Sequence, residues 1–142
     1  MAEDELANRL HSAAIHLLRR VAEVDAASGL SPSRLSALSV IVYGGPLTMT
    51  ELAAAERVNP ATVTSTVTGL EGAGLVTRRR EGVDARRVTV EATAAGRALM
   101  AESRARRLVV LRRGFETLTE PELSAVAVAT DALERMLHQD PC

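Results

Sequence analysis

The 142-residue chain has no tryptophan and no lysine, and its aromatic residues are limited to Tyr43 and Phe115. Its core must therefore be built from Leu, Val, Ile and Ala, a composition that favours helices over strands. Cysteine is limited to Cys142, so a disulfide within the chain is impossible. No apolar run approaches the roughly 20 residues that span a bilayer. A signal peptide begins with basic residues, whereas residues 3–5 of this chain are acidic. We expect one mainly α domain over residues 1–142, cytoplasmic and without membrane contact.

The residue patterns of enzymes and metal sites are missing. The sequence has no nucleophile paired with a base, no carboxylate pair that marks a cleft, and no His and Cys cluster with metal-ligand spacing. His11 and His16 lie five positions apart, a spacing that does not place them on one helix face. The chain is therefore predicted to have no catalytic residues, no cofactor and no metal.

An amphipathic helix is predicted over residues 4–27, because apolar residues recur there at three- and four-residue spacing until Gly29. The apolar stripe consists of Leu6, Leu10, Ala13, Leu17, Val21 and Val24. Two more long helices are predicted after Thr93. These helices have more apolar surface than a small domain can cover, so residues 4–28 and 93–138 are predicted to be the dimerisation helices of a homodimer.

Two helices joined by a tight turn are predicted in the middle of the chain. Ser31-Pro32 and Asn59-Pro60 each combine an N-cap with proline at the first helical position. Residues 47–49 are predicted to form a minimal strand, and Thr50 is predicted to cap the brief helix that follows. The predicted helices run from 32 to the Gly44-Gly45-Pro46 break, from 51 to 56, and from 60 to Gly72 or Gly74. The last two, with their turn at 57–59, have the helix-turn-helix arrangement.

The helix that begins at Pro60 has a surface rich in hydroxyl groups. Val63, Val67 and Leu70 form its inward stripe. Short hydroxyls can contact phosphates or base edges, and threonine methyls can contact thymine methyls. Alternatively, this is an ordinary solvent face of small residues, or the threonines bond back to carbonyls of their own helix. The predicted DNA-binding residues of this recognition helix are Asn59, Ala61, Thr62, Thr64, Ser65 and Thr68.

A basic β-hairpin is predicted directly after this helix. Residues 75–80 and 87–91 can be extended, and residues 81–85 form a polar turn. Such a tip can straddle a phosphate backbone and place a guanidinium in the minor groove. Asp84 can hold Arg86 by a bidentate pair, although a solvated hairpin with an incidental ion pair is the alternative. The predicted DNA-binding residues of this wing are Arg78, Arg80, Asp84, Arg86 and Arg87, within a winged helix-turn-helix over residues 31–92.

Residues 47–96 resemble the MarR family of bacterial regulators (multiple antibiotic resistance regulators). The matching segments are TELA at 50–53, NPATVT at 59–64, LEGAGLVTR at 70–78, DARR at 84–87 and TAAGR at 93–97. The Asp-x-Arg wing and the Leu-Glu-x-x-Gly-Leu-Val-x-Arg segment are the more specific parts. The order and length of the flanking helices extend the resemblance to nearly the whole chain.

The resemblance implies a homodimeric transcriptional regulator that binds double-stranded DNA, most simply a ligand-responsive repressor. Its recognition helices would enter successive major grooves of a pseudo-palindromic operator, about 34 Å apart. Many relatives bind a small phenolic or anionic effector between the dimer helices and the winged domain. The implied pocket residues here are His16, Arg20 and Tyr43, with His11 and Arg19 as further candidates. The alternative is that they are ordinary surface or interface residues.

The recognition helix departs from the family pattern in its charge. Residues 58–77 contain no arginine, whereas relatives often have arginine where this chain has Ser65 and Gly69. Gly69 also costs about 1 kcal/mol of helix propensity relative to Ala. DNA binding would therefore depend on the wing and on helix-dipole contacts with phosphate. The same departure leaves open an alternative: a winged-helix protein-interaction module with weak or no DNA binding.

Overall fold

The computed structural model describes residues 1–80, 82 and 87–138, and helices dominate it. The chain forms two compact units, Met1–Arg107 and a second that begins at Leu108. The helices are α1 (Glu3–Ala22), α2 (Pro32–Gly44), α3 (Met49–Glu56), α4 (Pro60–Gly72), α5 (Ala94–Phe115) and α6 (Glu120–His138), and the strands are β1 (Leu47–Thr48), β2 (Val76–Arg80) and β3 (Val88–Ala92). The predicted mainly α fold with a small β-hairpin is confirmed. None of the described helices is long and apolar enough to cross a membrane.

The two predicted cap and proline pairs begin α2 and α4. The Ser31 hydroxyl accepts the N–H of Arg34 at 3.4 Å, and Asn59 Oδ1 accepts the N–H of Thr62 at 2.8 Å. In both helices the proline that follows the cap occupies the start of the helix, where its missing N–H leaves no bond unmade. Local sequence therefore determines where both helices begin.

Two helix boundaries differ from the prediction. Thr48, not Thr50, caps α3, because the Thr48 hydroxyl accepts the N–H of Glu51 at 3.1 Å. Threonine followed three residues later by glutamate has the capping-box spacing, which Thr50 lacks. α1 ends at Ala22 rather than at residue 27, and a 3-10 turn then leads to Gly29, whose φ of 75° is left-handed.

The three strands form one antiparallel sheet in the order β1-β3-β2. In the β2–β3 hairpin, Val76 lies opposite Ala92 and Arg80 lies opposite Val88. The hairpin directly follows α4, as the sequence predicts for a wing. The side chains that are fully buried beneath it are aliphatic and come from α2, α3, α4 and the sheet: Leu38, Ile41, Leu52, Val67, Leu70, Val76 and Val90.

Thr93 joins the start of α5 to the end of the helix-turn-helix. Its hydroxyl donates to the Gly74 carbonyl at 2.7 Å and accepts the N–H of Gly96 at 3.1 Å. Gly96 is buried, and a Cβ at this position would collide with the carbonyl oxygen of Leu75. A glycine is therefore required where α5 crosses the chain ahead of β2.

α1 and α6 expose apolar side chains along their length. Of the 20 residues of α1 only Val21 is buried, and of the 19 residues of α6 none is. The exposed apolar residues include Leu6, Leu10, Leu17 and Leu18 in α1, and Leu123, Val126, Val128, Met136 and Leu137 in α6. Each helix on its own thus has an apolar surface of the kind that another protein chain covers.

Candidate nucleic-acid interface

α4 is the second helix of the helix-turn-helix, and it has one buried and one exposed face. Val63, Val67 and Leu70 are buried in the core. The six residues predicted to contact DNA are all exposed: Asn59, Ala61, Thr62, Thr64, Ser65 and Thr68. The structure thus places them on the solvent side of α4, and their contact with DNA stays a prediction.

Two threonines on this face bond to their own helix. The Thr64 hydroxyl donates to the Pro60 carbonyl at 2.9 Å, and the Thr68 hydroxyl donates to the Thr64 carbonyl at 2.8 Å. A hydroxyl has one proton and two lone pairs, so in this geometry both side chains offer an acceptor and a methyl group outward. They suit contact with donor groups and thymine methyls better than with phosphate, which needs a donor.

Arg78 connects the wing to the recognition helix. From β2, its Nη2 donates to the hydroxyl of Thr68 at 2.5 Å, and its Nε lies 3.8 Å from a carboxylate oxygen of Glu71. The side chain is 28% exposed. Arg78 therefore brings a positive charge to the surface of a helix that has no basic residue of its own. The spacing of apolar residues along the sequence does not reveal this contact, because the contact links two different elements.

The other wing residues are only partly within the described chain. Arg80 and Arg87 are exposed, and Arg79 pairs with Glu91 at 3.8 Å. Asp84 and Arg86 lie outside the described residues, so their pairing stays a prediction. The exposed arginines that are described give this edge of the sheet a basic surface suited to phosphate.

The turn between α3 and α4 contributes a further exposed cation. Arg57 adopts the left-handed conformation, with φ 53°, and its backbone N–H bonds to carbonyls at the end of α3. Arg57 lies two residues before the Asn59 cap. Sequence reasoning placed Arg57 in the turn but did not assign it to the DNA surface.

A cavity of about 480 Å³ lies between α2 and α5 within the first unit. Tyr43 lines it, and the guanidinium carbon of Arg104 lies 5.8 Å from the centre of the Tyr43 ring, a cation–π distance. Ser103 also lines the cavity, and its buried hydroxyl has no hydrogen-bond partner among the described residues. The cavity therefore combines an aromatic ring, a cation and an unsatisfied hydroxyl.

A second arginine at the cavity is neutralised by its partner. Arg107 donates to both carboxylate oxygens of Asp25, at 2.8 and 2.5 Å. These hydrogen bonds raise the pKa of Arg107 further above its ordinary value. Because Asp25 already takes up the charge of Arg107, Arg104 is the cation better placed to attract an anion.

Of the three predicted effector residues, only Tyr43 lines this cavity. His16 and Arg20 lie exposed on α1 and are not among its lining residues. Arg104 and Ser103 were missed by sequence reasoning, since only the packing of α5 beside α2 brings them to Tyr43. In the described part of the chain, no group of three His, Cys, Asp or Glu side chains is placed to hold a metal ion.

Known proteins are similar to this chain in sequence and in fold. Residues 30–88 match the MarR family model. The HTH-type transcriptional regulator MT0903.1 of Mycobacterium tuberculosis is 29% identical over 140 residues, or 99% of this chain and 98% of the relative. A transcriptional regulator protein from Pseudomonas aeruginosa PA01 has a TM-score of 0.83 at 29% identity, covering 99% of both chains. A MarR family protein from Bacillus stearothermophilus has a TM-score of 0.83 at 24% identity, covering 98% of this chain and 99% of that one.

These similarities agree with the geometry of the described residues. A helix-turn-helix presents α4, a basic hairpin follows it directly, and relatives of nearly equal length are named as transcriptional regulators. They point to a regulator and not to an enzyme. In sequence over residues 30–88 and in fold over nearly its whole length, the chain is similar to the MarR family of winged helix-turn-helix transcriptional regulators.

Proposed function

We propose that this chain is a homodimeric repressor that binds a pseudo-palindromic operator and releases it when a small anionic ligand binds. The observation that carries the proposal is the exposed apolar surface of α1 and, separately, of α6, in a chain that also has a winged helix-turn-helix. Since such a regulator acts on chromosomal DNA, we place it in the cytoplasm.

A second copy of the chain is the partner that best explains α1. Leu10 and Leu17 are 40% and 54% exposed, although they lie on one face of a long helix. Solvent contact with this much aliphatic surface is unfavourable by roughly 25 cal/mol per Å². A twofold dimer would cover the same patch on both copies and would present two recognition helices to two half-sites.

The cavity between α2 and α5 supports ligand response. Its Tyr43 ring and Arg104 guanidinium suit an aromatic carboxylate, whose ring can stack and whose charge can pair. NadR, a structural neighbour with a TM-score of 0.67, was solved in complex with 4-hydroxyphenylacetate. We infer a phenolic or anionic effector for this chain too.

The experiment on DNA is footprinting of the region upstream of the chain's own gene, together with the mass of the complex in solution. A repressor dimer should protect two half-sites whose centres are about 10 base pairs, or one helical turn, apart, with two chains per duplex. A single protected half-site with one chain would contradict the dimeric part of the proposal. No protection at low salt would contradict operator binding.

The experiment on the ligand uses 4-hydroxyphenylacetate as the probe and release of DNA as the readout. Arg104→Gln should weaken the response, while Asp25→Asn should strengthen it by freeing Arg107. Arg106→Gln is the matched control, because Arg106 is the neighbouring arginine on α5, does not line the cavity and pairs with Glu102 at 3.4 Å. Equal effects of all three substitutions would contradict a ligand site in this cavity.

A further inference from the structure

The side of α4 that faces away from the core has two rows of residues that run along the helix. One row is Ala61, Ser65 and Gly69, and the other is Thr64 and Thr68, each with the four-residue spacing that stacks side chains on a helix. The second row ends at Arg78, which donates to Thr68. The first row ends at another arginine, this time from α2.

Arg34 lies across the helix at Gly69. A Cβ on residue 69 would lie 2.5 Å from the guanidinium carbon of Arg34, so the guanidinium occupies the space where any other residue would carry a side chain. Arg34 is exposed, and none of the salt bridges in the described part of the chain involves it. Within residues 1–80, 82 and 87–138, the guanidinium of Arg34 thus rests on α4 beside its two rows without a carboxylate partner.

Gly69 is a costly residue at its place in α4. Glycine inside a helix is less favourable than alanine, yet Gly69 lies three residues before the end of α4 and away from any turn. The backbone at Gly69 does not adopt a positive φ, so no conformational need accounts for it. What the glycine does provide is the space that the guanidinium of Arg34 fills.

We propose that Arg34 is a DNA-phosphate-binding residue, seated on the recognition helix by the lack of a side chain at Gly69. Arg78 contacts the end of the other row, so the two arginines together supply the positive charge that the residues of α4 lack. Guanidinium groups on both flanks can each contact a phosphate where the helix enters the major groove. The proposal rests on DNA binding by this winged helix-turn-helix.

The test measures the affinity of the full-length protein for an operator duplex and for a random duplex over a series of salt concentrations. Gly69→Ala is the main variant, because its Cβ displaces only the mobile end of Arg34 and leaves the helix backbone intact. We expect its melting temperature to be unchanged or higher, since alanine favours the helix. We expect its affinity for both duplexes to fall about fivefold to tenfold near 0.1 M salt, as for the loss of one phosphate contact.

Two further observations separate phosphate binding from a structural effect. Arg34→Ala should lower affinity by the same factor and reduce the slope of log K against log salt by about one, while Arg34→Lys should recover part of both. The double variant should bind no more weakly than either single variant, because the two substitutions remove the same phosphate contact. Gly72→Ala is the control on the same helix, since its Cβ would meet nothing within 4 Å.

The possible failures are distinguishable. If the wild-type protein binds neither duplex at low salt, the proposal that this domain binds DNA is wrong, and so is the proposed role of Arg34. If the wild type binds but Gly69→Ala and Arg34→Ala bind with wild-type affinity and salt slope, the role of Arg34 alone is overturned. Loss of affinity with an unchanged salt slope would also overturn it.

Discussion

The guanidinium of Arg78 donates a hydrogen bond of 2.5 Å to the hydroxyl of Thr68, which joins the first strand of the wing to the recognition helix. The same hydroxyl donates to the Thr64 carbonyl at 2.8 Å. A chain of hydrogen bonds thus runs from the helix backbone through Thr68 to the wing. The wing and α4 are therefore oriented together, and a change at Thr68 alters the position of a cation that belongs to another element.

Thr68→Val should weaken DNA binding more than it weakens the fold. Valine keeps the shape but removes the acceptor for Arg78, and one exposed hydrogen bond contributes only about 1 kcal/mol to stability. We expect a small fall in melting temperature and a loss of affinity of several-fold, measured by fluorescence anisotropy. Thr64→Val is the control, because its hydroxyl bonds to the Pro60 carbonyl and has no contact with the wing among the described residues. Equal losses in the two variants would contradict the coupling.

Gly96→Ala should strongly destabilise the first unit. The added Cβ would collide with the backbone carbonyl of Leu75, which cannot move without disturbing the buried start of β2. Overpacking of this kind typically costs about 1–3 kcal/mol, and we expect the upper end because the obstacle is backbone. Gly114→Ala, in the same helix, meets nothing within 4 Å and should be neutral or stabilising. Urea unfolding of both variants measures the difference, and equal midpoints would disprove the packing constraint.

Leu10→Glu should convert the protein to monomers. Leu10 is 40% exposed in the single chain, so glutamate there costs the isolated fold little, but it places a charge within the proposed dimer contact. We expect half the wild-type mass by light scattering and weaker operator binding. Asn8→Glu adds the same charge to the opposite face of α1 and should leave the dimer intact. A monomeric wild type, or a dimeric Leu10→Glu, would refute the proposed role of α1.

The start of α6 should lose order at acid pH. The backbone N–H and hydroxyl of Thr119 donate to the Glu122 carboxylate at 2.8 and 2.7 Å and hold the pKa of Glu122 below its ordinary value of 4.5. A lowered carboxyl pKa stabilises the folded helix above the ordinary value, and this contribution is lost as the pH falls through the lowered value. NMR titration of Glu122 should therefore show a midpoint below 4.5. Glu122→Gln should remove this pH dependence, and a midpoint at or above 4.5 would contradict the capping interaction.

Local sequence predicts much of the fold because the signals are chemical and short in range. Ser31 and Asn59 cap the helices that were predicted from them, since an N-cap needs only a side-chain acceptor and a free N–H a few residues ahead. The prediction of Thr50 as the cap of α3 is wrong, because Thr48 and not Thr50 is followed three residues later by a glutamate, Glu51. α1 ends at Ala22, five residues before its predicted end at residue 27, because the 3-10 turn that follows continues the apolar spacing of the helix.

The candidate site was less predictable, because its contacts connect distant segments. The threonines of α4 could be assigned to a surface from periodicity alone, but Arg34 reaches that surface from α2 and Arg78 from β2. Similarly, Tyr43 was predicted for the effector site, whereas Arg104 meets it only after α5 packs beside α2. A helix without basic residues thus gains its cations from tertiary structure, which no window of sequence contains.

The most direct test of the DNA-binding function is an anisotropy titration of the purified protein with a labelled duplex from the region upstream of its own gene. It should be repeated with random competitor between about 50 and 200 mM salt. We expect specific binding that weakens steeply with salt, as for several arginines that release counterions from phosphate. Absence of binding even at the lowest salt would contradict a DNA-binding regulator and would favour a winged-helix module that recognises another protein.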